Sequence, residues 1–163
     1  MASPLDTIFG LPTHVLIVHA TVVLLPLGVI GAVVIVLRRS LIHTLGWMTV
    51  TAAGLGTIAA WVSRGSGEQL ASRVGFPDPH TTYGEALAIH ATLFFVLVLV
   101  YWLLARGVPG NRSRPWWLIA LGLVVIVGAI GLLWSTIVTG HSGAEATWGA
   151  IVENTRPGRI PAP

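Results

Sequence analysis

Long apolar runs alternate with short polar segments along this chain, and four of the runs are long enough to cross a bilayer. The first, residues 11–37, holds 27 residues without a charge. About 20 apolar residues span a hydrocarbon core at a rise of about 1.5 Å each. The run therefore predicts a membrane helix over residues 13–37. Pro12 falls at the helix start, where its missing N–H is no loss. Pro26 lies inside the helix and frees the carbonyl of Val22, which predicts a modest kink.

A second span is expected over residues 41–62. Its later half is small (Ala52, Ala53, Gly54, Gly56, Ala59, Ala60), which permits close helix approach or leaves room for a flat cofactor. Residues 64–84 read as a polar connection, with a short helix over 68–74 and a turn at Phe76-Pro77-Asp78-Pro79. A third span is expected over 85–104 and a fourth over 115–139, joined by a short basic turn. On the fourth, Gly128, Gly131, Ser135 and Thr139 form a stripe at helical spacing, which predicts tight packing on a neighbouring helix. Gly140 is placed to cap that helix. Beyond it, residues 144–152 read as a separate amphipathic piece resting on the interface through Trp148, Ile151 and Val152, and residues 156–163 as extended. The expected organisation is one four-span domain over 1–152 and a C-terminal tail over 153–163.

Composition agrees: the 163 residues are 54% apolar and 9% charged, against about 25% charged in a soluble domain. The net charge of +3 comes from nine arginines and six acids. Nucleic acid is not the reading, because the arginines are distributed as a topology signal. Arg38, Arg39, Arg106, Arg112 and Arg114 sit in the two short turns with no acid among them. Asp6, Glu68, Asp78, Glu85, Glu145 and Glu153 all fall on the other side. Basic turns face the cytoplasm, so both termini are expected outside. Trp47, Trp102, Trp116 and Trp117 then mark the inner interface, and Trp61, Trp134 and Trp148 the outer one. The N-terminus has no basic leader region, and the first apolar run is too long for a signal core, so it reads as a retained span. The expected fold is an all-α, up-down four-helix bundle in a bacterial plasma membrane.

Candidate chemistry rests on histidine. There is no cysteine, which excludes disulfides, thiolate metal sites, iron–sulfur clusters and covalently attached haem. Met1 and Met48 are the only methionines, too few for a Met-rich copper site. No phosphate loop, Ser-His-Asp set or carboxylate pair can be assembled from spacing. Mid-span acids are absent, which argues against a proton or cation pump. Five of the six histidines fall on the outer half, while His43 starts the second span on the inner side. His19 and His90 lie at matched depth, about 8–10 Å inside their spans. His14 and His141 lie at the rim, and His80 in the outer loop. His14 and His19 are about 140° apart around one helix, so they do not share a face. Neither His19 nor His90 has a polar partner within its own helix, so each is expected to find one on another helix, a water or a ligand.

Three functional readings follow. Haem b held between His19 and His90 would make the chain a non-enzymatic redox module exchanging electrons with a respiratory partner. A copper or zinc ion held by His14 and His141, together with His19 and His90, would make it a metal-binding protein. Histidines that only bond neighbouring helices would leave a cofactor-free accessory or assembly subunit of a membrane complex. Glu85 reads as a solvated acid at a helix start.

At these residues the chain resembles a bacterial family of four-helix membrane proteins classed as a domain of unknown function. The resemblance runs over about residues 11–148. It is carried by His14 and, five residues on, Val18-His19-Ala20, with Ala and Thr where the family usually has Phe and Pro. Thr51-Ala52-Ala53-Gly54, His90 and the Gly-rich stretch from Thr139 to Ala144 carry the rest. It implies a four-helix membrane fold with histidines on one side, and no particular reaction.

Overall fold

The structure, a computed structural model, describes residues 7–8, 10–75, 78–109 and 112–155. Phe76 and Pro77 of the expected turn, and the expected extended tail at 156–163, lie outside the described residues. Two short antiparallel strands, β1 (Thr7–Ile8) and β2 (Leu11–Pro12), precede the first helix. Four helices follow: α1 (Thr13–Leu37), α2 (Ile42–Val74), α3 (His80–Arg106) and α4 (Trp116–Asn154). A single 3-10 turn, Arg39–Leu41, leads into α2. All four helices are long and apolar enough to cross a membrane.

The helices form a ring. α1 packs on α2 and α4, and α3 packs on the same two, so α1 and α3 stand diagonally. The core between them is built from Leu25, Ala32 and Ile35 of α1, Ala60 of α2, Phe94 and Val98 of α3, and Val125 and Leu132 of α4. Leu27, Ile30, Leu93, Val127 and Ile130 point outward. Such an exposed apolar belt would be a liability in water and is the ordinary surface of a protein in lipid.

Lipid supplies no hydrophobic drive between helices, so close packing and hydrogen bonds must hold them together. The small half of α2 does this against α1. A Cβ on Gly28 would stand 3.1 Å from the backbone of Ala53, and one on Gly56 would stand 2.8 Å from Leu25. α2 and α3 are joined by Thr57 Oγ1 donating to the Ala91 carbonyl at 3.1 Å, and by Trp61 Nε1 donating to Thr92 Oγ1 at 2.9 Å.

Two helices run further than hydropathy predicts. At about 1.5 Å per residue, the 33 residues of α2 and 39 of α4 reach about 50 and 58 Å, against a core of about 30 Å. Both overshoot at the end where α1 and α3 begin. The expected short helix at 68–74 is thus the continuation of α2. Its polar residues are good helix formers, and Arg64 pairs with Glu68 one turn on at 3.2 Å. Gly75, at φ 97°, ends it with its N–H on the Ala71 carbonyl. Gly140 does not cap α4. The helix continues to Asn154, so the amphipathic piece at 144–152 is its last turns.

The small stripe of α4 also differs from expectation. Gly128 lies against Leu97 and Phe94 of α3, but a Cβ on Gly131 would meet nothing within 4 Å. A step of three residues falls about 60° short of a full turn. Gly131 therefore rotates off the contact line into an outward groove.

Candidate functional site

The end where α1 and α3 begin gathers most of the histidines. His14, one residue into α1, donates Nδ1–H to the Ser63 carbonyl of α2 at 2.8 Å. A carbonyl only accepts, so Nδ1 carries a hydrogen, and in the neutral ring Nε2 has the lone pair. His80, the first residue of α3, places Nδ1 3.1 Å from Ser142 Oγ of α4. Ser142 Oγ in turn donates to the Thr139 carbonyl at 3.0 Å. That orients the chain as His80 Nδ1–H to Ser142 to Thr139, and again leaves Nε2 with the lone pair. The two rings meet edge to face across the diagonal of the bundle, with centroids 6.2 Å apart and planes at 77°.

Small residues make this approach possible. A Cβ on Gly67 of α2 would stand 3.0 Å from the His14 ring, and one on Gly143 of α4 would stand 2.9 Å from His80. Hydroxyls complete the joint. Thr21 and Ser63 meet at 3.3 Å between α1 and α2, and Thr139 Oγ1 donates to the Tyr83 carbonyl at 3.2 Å. Arg64 bridges Glu68 and, at 3.8 Å, Glu85, which is therefore not a lone solvated acid.

His80 stands ahead of the apolar run that follows Glu85, outside the spanning segment. Burial pushes its pKa down, His14 opposite pushes it further down, and the Thr139 carbonyl offsets part of this. All else equal, the shift favours the neutral ring over the charged one.

The other expected site residues are placed differently. His19 is exposed and donates Nδ1–H to the Val15 carbonyl of its own helix at 2.6 Å. The partner expected from another helix, a water or a ligand is thus its own backbone. His90 does find a partner on another helix, Ser135 of α4, at 3.1 Å. Its ring opens onto the outward α3–α4 groove of about 220 Å³, lined by Phe94, Leu97, Gly128, Gly131 and Leu132 among others. No ring contact joins His19 to His90. His141 is exposed on α4 and makes no hydrogen bond or ring contact among the described residues. His14 is therefore matched with His80, and the rim pair expected with His141 is not formed.

An ion with metal–nitrogen bonds of about 2.0–2.1 Å lies about 3.2 Å from the centre of each imidazole that binds it. Two rings sharing one ion then have centres about 5 to 6.5 Å apart, a range that contains the observed 6.2 Å. The backbones of α2 and α4 at Gly67 and Gly143 press on the same rings. Among the described residues no three of His, Cys, Asp or Glu converge, so two imidazoles are the whole protein ligand set that can be named.

Four helices long enough to span, an apolar outer belt and interior joints of hydroxyls and imidazoles define a polytopic α-helical membrane protein. Residues 10–156 match the family model described as "Predicted membrane protein (DUF2231)", and the chain belongs to that family. Neither the curated proteins nor the solved structures give a match.

Proposed function

We propose that this is a non-enzymatic four-span protein of the bacterial inner membrane that holds a copper or zinc ion through Nε2 of His14 and His80. The observation that carries the reading is the edge-to-face approach of these two rings at 6.2 Å with both Nδ1 atoms occupied by oxygen partners. A ligating histidine typically has its second nitrogen fixed in this way. Imidazole suits either metal. Two protein nitrogens leave coordination positions open for water or for an exchanging partner. The histidine end faces outward in this reading, because five arginines and no acid lie in the two turns at the other end.

Purified protein stripped with a chelator and titrated with Zn(II), or with Cu(I) under reducing conditions, should take up one equivalent. His14→Ala and His80→Ala should each weaken uptake by at least about tenfold, while His19→Ala and His43→Ala should not. Uptake that is absent, or indifferent to both of the first two substitutions, overturns the metal reading. A reducible b-type absorption band lost in His19→Ala or His90→Ala would put haem b and electron transfer in its place. A colourless, metal-free protein would leave the cofactor-free accessory subunit.

A further inference from the structure

The opposite end of the bundle carries positive charge that the described residues do not neutralise. Arg38, Arg39, Arg106, Arg112 and Arg114 cluster there with no acid among them, while Arg64 pairs with Glu68 and Glu85 at the histidine end. Arg39 donates to the carbonyls of Arg112, Val108 and Pro109 at 2.5–2.7 Å. Arg114 donates to the Val36 carbonyl at 2.6 Å, and Arg106 lies over the Trp102 ring. Carbonyl dipoles and ring faces hold these cations in place without cancelling their charge.

Beside Arg39 is a cavity of about 380 Å³, lined by Arg39, Ser40, Ile42, His43 and Val108. It brings together a fixed guanidinium, an exposed hydroxyl, an imidazole and the first turn of α2. Backbone N–H groups at a helix start favour negative charge. The surroundings are those of a membrane interface. Trp116 is 80% exposed and Trp47 is exposed beside it in height, as interfacial anchors are. Leu37, at the end of α1, is also exposed, which supplies an apolar surface for acyl chains next to the charge.

We propose that this cavity binds the phosphate of an anionic phospholipid. Phosphate matches the donors: a charged oxygen cluster receives charge-assisted bonds from guanidinium and hydroxyl together. Basic pockets between membrane helices are suited to such headgroups. A lipid fits better than a free anion, because exposed Trp47, Trp116 and Leu37 belong to the same end of the bundle as the cavity.

The test uses the purified full-length protein in neutral-detergent micelles. It is titrated calorimetrically with short-chain phosphatidylglycerol, phosphatidylcholine of the same chain length, and glycerol 3-phosphate. Phosphatidylglycerol should bind at least about tenfold tighter than either of the others. Ser40→Leu combined with His43→Leu fills the cavity and should weaken that binding by about tenfold or more, whereas Arg112→Gln, one charge outside it, should change it less than about threefold. Equal affinity for the two lipids in the unaltered protein overturns the proposal without reference to any variant. So does glycerol 3-phosphate binding as tightly as the lipid, which would mean a site for soluble phosphate. Equal losses in Arg112→Gln and the cavity variant would mean diffuse charge attraction, and would also overturn it.

Discussion

The two ends of the bundle are held by opposite chemistry. At the histidine end, neutral groups join helix to helix: His14 to Ser63, Thr21 to Ser63, His80 to Ser142 and Thr139 to the Tyr83 backbone. At the arginine end, guanidinium groups reach from one segment to the carbonyls of another. Arg39 clasps the α3–α4 turn, and Arg114 takes up the Val36 carbonyl, one of the four left unpaired at the end of α1. The difference has a physical basis. Neutral donors and acceptors can be buried between helices, provided each finds a partner. A permanent cation is costly to bury and is kept at the interface, where water and headgroups share its charge.

The contrast is broken most severely by Arg39→Ala, which removes three charge-assisted hydrogen bonds. The expected loss is about 2–4 kcal/mol of stability, seen as a lower unfolding midpoint in detergent and faster amide exchange in residues 107–115. Arg39→Lys should recover less than half of it, because an ammonium cannot match the guanidinium fork. If Arg39→Ala changes neither measurement, helix packing alone holds that end.

At the histidine end, Gly143→Ala should cost about 1–3 kcal/mol, since its Cβ would stand 2.9 Å from His80 Cε1 and 3.2 Å from Nδ1. Gly65→Ala is the control, with nothing within 4 Å of its Cβ. Equal midpoints for the two variants would show that the His80 ring is not fixed by its neighbours.

The smallest effect is on pH. The pKa of His80 is lowered on folding, so the unfolded chain binds more protons between the two values. Its contribution is whole above the unfolded value of about 6.5 and is lost as pH falls through the lower folded value. The protection of amides 80–84, measured against the intrinsic exchange rate at each pH, should therefore fall on acidification below about pH 6.5, while that of residues 107–108 and 112–114 should not follow. Parallel responses at both ends would remove the distinction between them.

The four spans were legible because lipid imposes a demand that hydropathy records directly. The histidine pairing was not. His80 read as a loop residue, because the polar stretch before it carries no apolar period. The Arg64–Glu68 spacing could have shown α2 continuing past the membrane, and with it that the following segment begins a helix at the same level as His14. The contacts of Gly67, Ser142 and Gly143 with the two rings were not legible either. A glycine matters here only because a ring from another helix lies over it, and spacing along one helix cannot report that. The stripe on α4 misled for the same reason. Periodicity identified its residues, but rotation of the helix turned Gly131 outward and Ser135 toward His90.

Hydrophobic length and the absence of cysteine and mid-span acids were properties of the chain alone, and they determined an all-α membrane bundle with histidine as its available chemistry. Which imidazoles meet depended on helix rotation and on where α3 starts. Both are set by contacts among all four helices, at Gly28 on Ala53 and Gly56 on Leu25 as much as at the rings themselves. Depth in the membrane adds about 1.5 Å per residue and can be counted. Facing changes by about 100° per residue, so one residue of uncertainty in a helix start or one slip in packing exchanges one partner for another. That is why matched depth pointed to His19 and His90, while the tertiary structure brought together His14 and His80.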